Sequence, residues 1–156
     1  MKATKNELSL VPLPEKTDTY IPVSHIDLIN TITNNANSHF QGVPIAESYQ
    51  LARDGNQMFG TLQYRIGENG TNLSVGFRNS YDKSLPIGLV SGACVIVCSN
   101  LMFKGDIMTI RKHTLNVWKE LEDKINSTLT LSEARYKEIL EDKQKFQSRT
   151  LDNMNA

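Results

Sequence analysis

At 156 residues the chain is long enough to bury a core of its own, and neither a metal nor a disulfide is needed to explain its folding. Its 17 lysines and arginines balance 17 aspartates and glutamates, so no global field draws it to nucleic acid or membrane, and any such contact has to come from a local patch. A hydrophobic share of 39%, with no charged leader before an apolar core and no run of membrane-spanning length, sets the expectation of a soluble protein of the reducing cytoplasm.

The first 20 residues mix lysine, glutamate and threonine with Pro12 and Pro14 and hold no sustained period, which predicts a flexible N-terminal arm over 1–20 that adds little core. Ser24-His25-Ile26-Asp27 then reads as a helix start, because the Ser24 hydroxyl accepts a backbone N–H and Asp27 suits the positive helix end. Ile26, Ile29 and Ile32 give this helix an apolar face, Asn34, Asn35 and Asn37 its stop, and His25 is expected to face solvent. From Val43 to Ile66 the period shortens to two, broken by the turn signal Asp54-Gly55-Asn56. Glu68-Asn69-Gly70 supplies another turn before a strand from Asn72 to Phe77. The middle of the chain therefore predicts an antiparallel meander. Arg53, Arg65 and Arg78 stand near its strand ends, but alternate ends of a meander point opposite ways, so all three are not expected to converge.

The stretch from Gly76 to Phe103 holds the longest apolar run and the densest polar set. Phe77 to Ser84 carries so many polar groups that it predicts a rim or loop, since a strand could not bury them unpaired. Beyond Pro86 the residues turn small or β-branched, and Ala93 to Cys98 is expected to be a central strand. Cys94 and Cys98 would then share one face roughly 13 Å apart, too far to bridge, as buried reduced thiols. Ile107, Ile110, Thr114, Val117, Trp118, Leu121 and Ile125 form a helical stripe that predicts a helix over one sheet face, with Arg111, Lys112 and His113 at an anion-favouring start. Thr130-Leu131-Ser132-Glu133 reads as a capping box opening a last, charged helix. The expected class is α+β: an antiparallel β meander with an N-terminal helix and two C-terminal helices, one packed on a sheet face. The domain spans 21–128, and 129–156 is a charged helix with a frayed tail.

No Walker loop, paired CxxC, HExxH or G-x-S-x-G elbow is present. Ser80 or Ser84 with His113 and Asp82 is a conceivable nucleophile set, but such triples arise by chance in most chains. A metal site from Asp82, His113 and a cysteine is weaker, because apolar neighbours point the cysteines at a core. No metal and no cofactor is expected, and an enzymatic role stays open behind a binding one. The residue types that hold phosphate oxygens gather in Arg78, Asn79, Ser80, Tyr81, Asp82, Lys83, Ser84, Asn100, Arg111, Lys112 and His113, and Tyr81 and Phe103 offer rings to bases. Against this stands a plain structural alternative, in which Arg78 pairs with Asp82 and the amides cap loops.

Phe77 to Ser84 (FRNSYDKS), Val97 to Asn100 (VCSN) and Arg111 to Thr114 (RKHT) together resemble the ordered motif set of the domain of unknown function 932 family of phages, plasmids and prophage-like islands. The resemblance spans Val23 to Ile125. A histidine usually stands in that family where this chain has Tyr81. The resemblance implies a mobile-element protein with an α+β domain, in the host cytoplasm if phage-encoded, and brings no established activity and no catalytic residues. The leading expectation is a non-enzymatic accessory protein that binds single-stranded nucleic acid through the basic polar loop. Its helix, meander, helix order is also like that of single-strand annealing proteins, which form rings or filaments, so a homo-oligomer is entertained. The alternatives are a module that docks on a host protein through the charged last helix to modulate a host system, and nucleotide binding or hydrolysis at the same patch. No membrane partner is expected.

Overall fold

In the computed structural model the described residues are 2–65, 72–92, 96–97, 103–104, 107–111, 117, 120–135 and 138. In chain order the elements are β1 (Lys2–Ala3), α1 (Lys5–Leu10), α2 (His25–Phe40), β2 (Ala46–Ala52), β3 (Gln57–Arg65), β4 (Asn72–Ser80), β5 (Ile87–Gly92), β6 (Ile96–Val97), β7 (Phe103–Lys104), β8 (Ile107–Arg111) and α3 (120–135). One antiparallel sheet has the order β1-β2-β3-β4-β5-β8, and β6 and β7 pair separately. The expected α+β fold, a meander with helices before and after it, is the fold observed.

Helix α2 starts where the Ser24 hydroxyl accepts the Asp27 N–H at 3.3 Å, and it ends when Gln41 turns left-handed at φ 53°. It runs through the three asparagines expected to stop it; Asn35 donates back to the Thr31 carbonyl oxygen at 2.7 Å, which keeps its amide satisfied on the helix. Leu28, Ile29, Ile32 and Ala36 bury one stripe in a cluster with Tyr49, Leu62, Val75, Phe77 and Leu89 of the sheet. Leu121, Ile125 and Leu129 of α3, with Val117 a turn earlier, join the same cluster, so both helices serve one core. Each such side chain stabilises the fold by roughly 1.5–3 kcal/mol. Phe59 and Val90, on the other parity of their strands, are also buried, so the meander is covered on both faces.

Two cross-strand pairs seat a large side chain on a glycine. The Phe77 ring lies over its partner Gly60, where any added Cβ would overlap it, and the Arg78 stem lies over Gly88, where a Cβ would come within 2.8 Å of Nε.

Five expectations are corrected. The arm is not free of core: β1 pairs with Gln50 and Tyr49, a Thr4–Glu7 capping box starts α1, Leu8 is buried at 1% exposure, and Tyr20 at the arm's end is buried too. A helix of six residues is too short to show a period. The polar stretch is half strand, because β4 continues to Ser80. The apolar strand of the main sheet is Ile87–Gly92, whereas Ile96–Val97 belongs to the separate ribbon; Cys94 and Cys98 lie outside the described residues. Ile107–Arg111 is a strand on β5 and not the start of a helix, since Ile-Met-Thr-Ile satisfies period two as well as period 3.6. Finally, Thr130 and Ser132 sit inside α3, which crosses the 128/129 boundary unbroken; their hydroxyls donate to the carbonyl oxygens of Asn126 at 2.8 Å and Thr128 at 2.7 Å.

Candidate functional site

The polar residues of β4 and its following loop meet the amino end of α2. Asn79, fully buried, donates through Nδ2 to the Val23 carbonyl oxygen at 2.6 Å and lies 3.1 Å from His25 Nδ1. His25 Nε2 lies 2.9 Å from the Gly55 carbonyl oxygen, and the His25 backbone N–H donates to the Tyr81 hydroxyl at 2.8 Å. The imidazole and the Tyr81 ring stack at 3.7 Å between centroids, 4° from parallel. Tyr81 N–H donates in turn to Asn56 O at 2.7 Å. Burial pushes the Tyr81 phenol up, with Asp27 adding to it, against the opposing bonds from the His25 N–H and the Ser24 hydroxyl. The expectation of a solvent-facing His25 is thus overturned: at 0% exposure it is the hub joining α2, the 53–56 turn and the end of β4. Its sequence neighbourhood gave no sign of this, because the stacking ring arrives from 56 positions away.

Past Tyr81 the loop closes on itself. The Ser80 hydroxyl donates to Leu85 O at 2.8 Å and accepts the Leu85 N–H at 3.1 Å. Asp82 accepts the Ser84 hydroxyl and, at 3.0 Å, the Ser84 N–H, while Gln57 donates to the Ser84 hydroxyl at 2.7 Å. Burial raises the Asp82 carboxyl, but the Ser84 bonds and the charge of Arg53 outweigh it and hold it below the usual carboxylate range. Arg53 Nη1 is 3.8 Å from Asp82 Oδ2, an exposed pair of small energetic weight. Lys83, left-handed at φ 62°, holds its ammonium 5.0 Å above the buried Tyr20 ring. Burial and the charge of Asp82 push the Tyr20 phenol up. Asn79, Ser80, Tyr81, Asp82, Lys83 and Ser84 are therefore gathered, as expected, but much of their hydrogen-bonding capacity is spent on the fold. Asp82 pairs with Arg53 instead of Arg78.

Arg78 goes elsewhere. It is half-buried over Gly88, on the opposite strand parity from Asn79, and burial draws its guanidinium below the usual range. Arg111 ends β8 opposite Ile87, while Arg78 belongs to the next row, with Gly88 and Ile110. The register puts three connections at one end of the sheet: the 53–56 turn after β2, the 81–86 loop after β4, and the terminus of β8 at Arg111. Arg53, which the expected site omitted, comes to that end, and Arg65 closes β3 at the opposite one. Ile107–Arg111 is strand, so the helix does not begin at Ile107, and residues 112–116 that follow Arg111 lie outside the described residues; the amino end of α2 is capped by Ser24 and Tyr81. Asn100, Lys112, His113 and the Arg111 side chain lie outside the described residues.

No family model, curated protein or solved structure matches this chain. Among the described residues no helix is long and apolar enough to cross a membrane, and no group of three or more His, Cys, Asp or Glu side chains is placed to hold a metal.

Proposed function

We propose that the chain is a phage- or plasmid-type accessory protein that binds single-stranded nucleic acid, without catalysing a reaction on it, at the sheet end formed by the 53–56 turn, the 81–86 loop and the terminus of β8. The support is the strand register, which brings cationic positions 53, 83 and 111 from three separate connections to one end. Arg53 is 63% exposed and Lys83 is exposed, so phosphate can reach both; the Arg53–Asp82 contact is weak enough to be exchanged for it. Asp54 and Asp82 offset part of this charge, which makes the binding modest and its salt dependence that of a few contacts. Arg78, committed to the sheet, drops out of the expected contact set.

The test is fluorescence anisotropy with a labelled oligothymidylate across a salt series. Two to three phosphate contacts give a log–log slope of about −1.4 to −2.1 for a single strand. Arg53→Ala and Arg111→Ala each reduce the slope by about 0.7. Lys83→Gly removes the ammonium while favouring the left-handed backbone, so a loss there is not a collapse of the loop. Absence of a complex at low salt, or a complex whose affinity ignores salt, rejects the reading.

A second reading, interaction with a host protein, has one observation in its favour. Among the described residues β1 pairs with Gln50 and Tyr49 of the β2 edge, and beside it opens a groove of about 430 Å³ lined by Lys2, Thr4, Lys5, Glu47, Ser48 and Tyr49. Capture from a host lysate that survives nuclease and is abolished by Ser48→Pro on this edge would favour it over the nucleic-acid reading.

A further inference from the structure

We propose that His25, Asn79 and Tyr81 form an acid-sensitive latch that ties the amino end of α2 to the 53–56 turn and the 81–86 loop, and that a second proton on the imidazole opens it. The inference concerns the protein alone and does not depend on what binds at this end of the sheet.

Both ring nitrogens are committed, and their partners assign the tautomer. The Gly55 carbonyl oxygen, 2.9 Å from Nε2, only accepts, so Nε2 carries the hydrogen. The Asn79 amide nitrogen, 3.1 Å from Nδ1, only donates, so Nδ1 presents its lone pair. A proton added at Nδ1 would set N–H against N–H. Turning the Asn79 amide over does not repair the contact, because Nδ2 also donates to the Val23 carbonyl oxygen at 2.6 Å, and Oδ1 in its place would face that oxygen. Protonation therefore costs the network one bond in either orientation: the Nδ1 contact if the amide stays, the Asn79–Val23 bond if it turns over.

Among the described residues, charged and titratable groups stand on each of the elements that meet at the ring. Asp27 lies on α2, Arg53 and Asp54 on the turn, Tyr81, Asp82 and Lys83 on the loop, and Tyr20 on the segment preceding α2. The Tyr81 face and the three carboxylates favour a cation; Arg53, Lys83 and complete burial oppose one. None of them replaces the acceptor that a protonated Nδ1 needs along the Asn79 direction. The sign follows from this. A ring held neutral in the fold contributes stability above the ordinary imidazole range, near pH 6.5, and that contribution is lost as the pH falls through it.

Opening has a local signature, because the His25 N–H is held by the Tyr81 hydroxyl and the Tyr81 N–H by Asn56 O. Nuclear magnetic resonance of the full chain tests it, following the imidazole nitrogens and amide exchange from about pH 8 to about pH 5 around the ordinary histidine range. At the upper end His25 is the Nε2–H tautomer. Below pH about 6.5 the amides of His25 and Tyr81 lose protection, approaching tenfold per pH unit, while those of Leu62 and Val75 in the sheet hold. Asn79→Asp offers a carboxylate to Nδ1–H, and the acid loss then disappears or reverses. Ordinary titration of His25 with the two amides unchanged would overturn the latch in the native chain, with no variant required. An undiminished acid loss in a folded Asn79→Asp protein would overturn it as well.

Discussion

Gly60 and Tyr64 of β3 show how closely single side chains set this core. The Phe77 ring occupies the place of a Cβ on Gly60, so Gly60→Ala forces the ring off its seat. We expect a loss of about 1–3 kcal/mol, the usual range for overpacking, read as a lower urea midpoint at unchanged slope. Tyr64 is buried beneath α2, its hydroxyl 2.8 Å from the Asn37 amide. Burial, with the charge of Glu47 added, pushes its phenol up to about 12. The fold keeps the neutral phenol, so this stability is complete below pH about 10 and is lost as the pH rises from there toward 12. Absorbance titration should show Tyr64 ionising only as the fold opens, and Tyr64→Phe should lessen the alkaline loss. Asp82 runs the other way. Its depressed carboxyl supports the loop above the ordinary aspartate range and ceases to do so as the pH falls through its folded value.

At the scale of elements, α1 and α3 separate two uses of the same residue types. Thr4 and Glu7 make a working capping box on a helix of six residues, and that helix exists to bury Leu8. Leu8→Ala should destabilise by about 2–5 kcal/mol, far more than a mobile arm would allow, and thermal or urea unfolding reads it directly. Thr130 shows the same sequence signature but donates back to Asn126 O within α3. Thr130→Ala should then be neutral or stabilising by a few tenths of a kcal/mol, whereas loss of a true cap would cost about 1 kcal/mol. Urea titrations of the two variants side by side decide which description of α3 is right. β8 carries a similar lesson, since a short run of β-branched residues is claimed by whichever neighbour offers a ladder, and β5 offers one.

Across the whole molecule, one buried cluster takes side chains from α1, α2, the sheet and α3, so the described parts should unfold together. Far-ultraviolet and near-ultraviolet circular dichroism should give coincident transitions, and removal of residues 1–11 should lower the whole transition instead of deleting an early step. Two separated transitions would contradict this. The period-two stretches and the Asp54-Gly55-Asn56 turn already determined the antiparallel meander, and Ser24 with Asp27 determined where α2 begins, because these are decided within a few residues by backbone geometry. Asn79 through Ser84 were legible as a cluster for the same reason, being adjacent in the chain. The burial of His25, the departure of Arg78 to the other strand parity, the arrival of Arg53 beside Asp82 and the strand at Ile107 were left to the tertiary structure. Each depends on register between distant segments and on which polar groups find partners, and burial of a polar side chain is decided by those partners and not by its own chemistry.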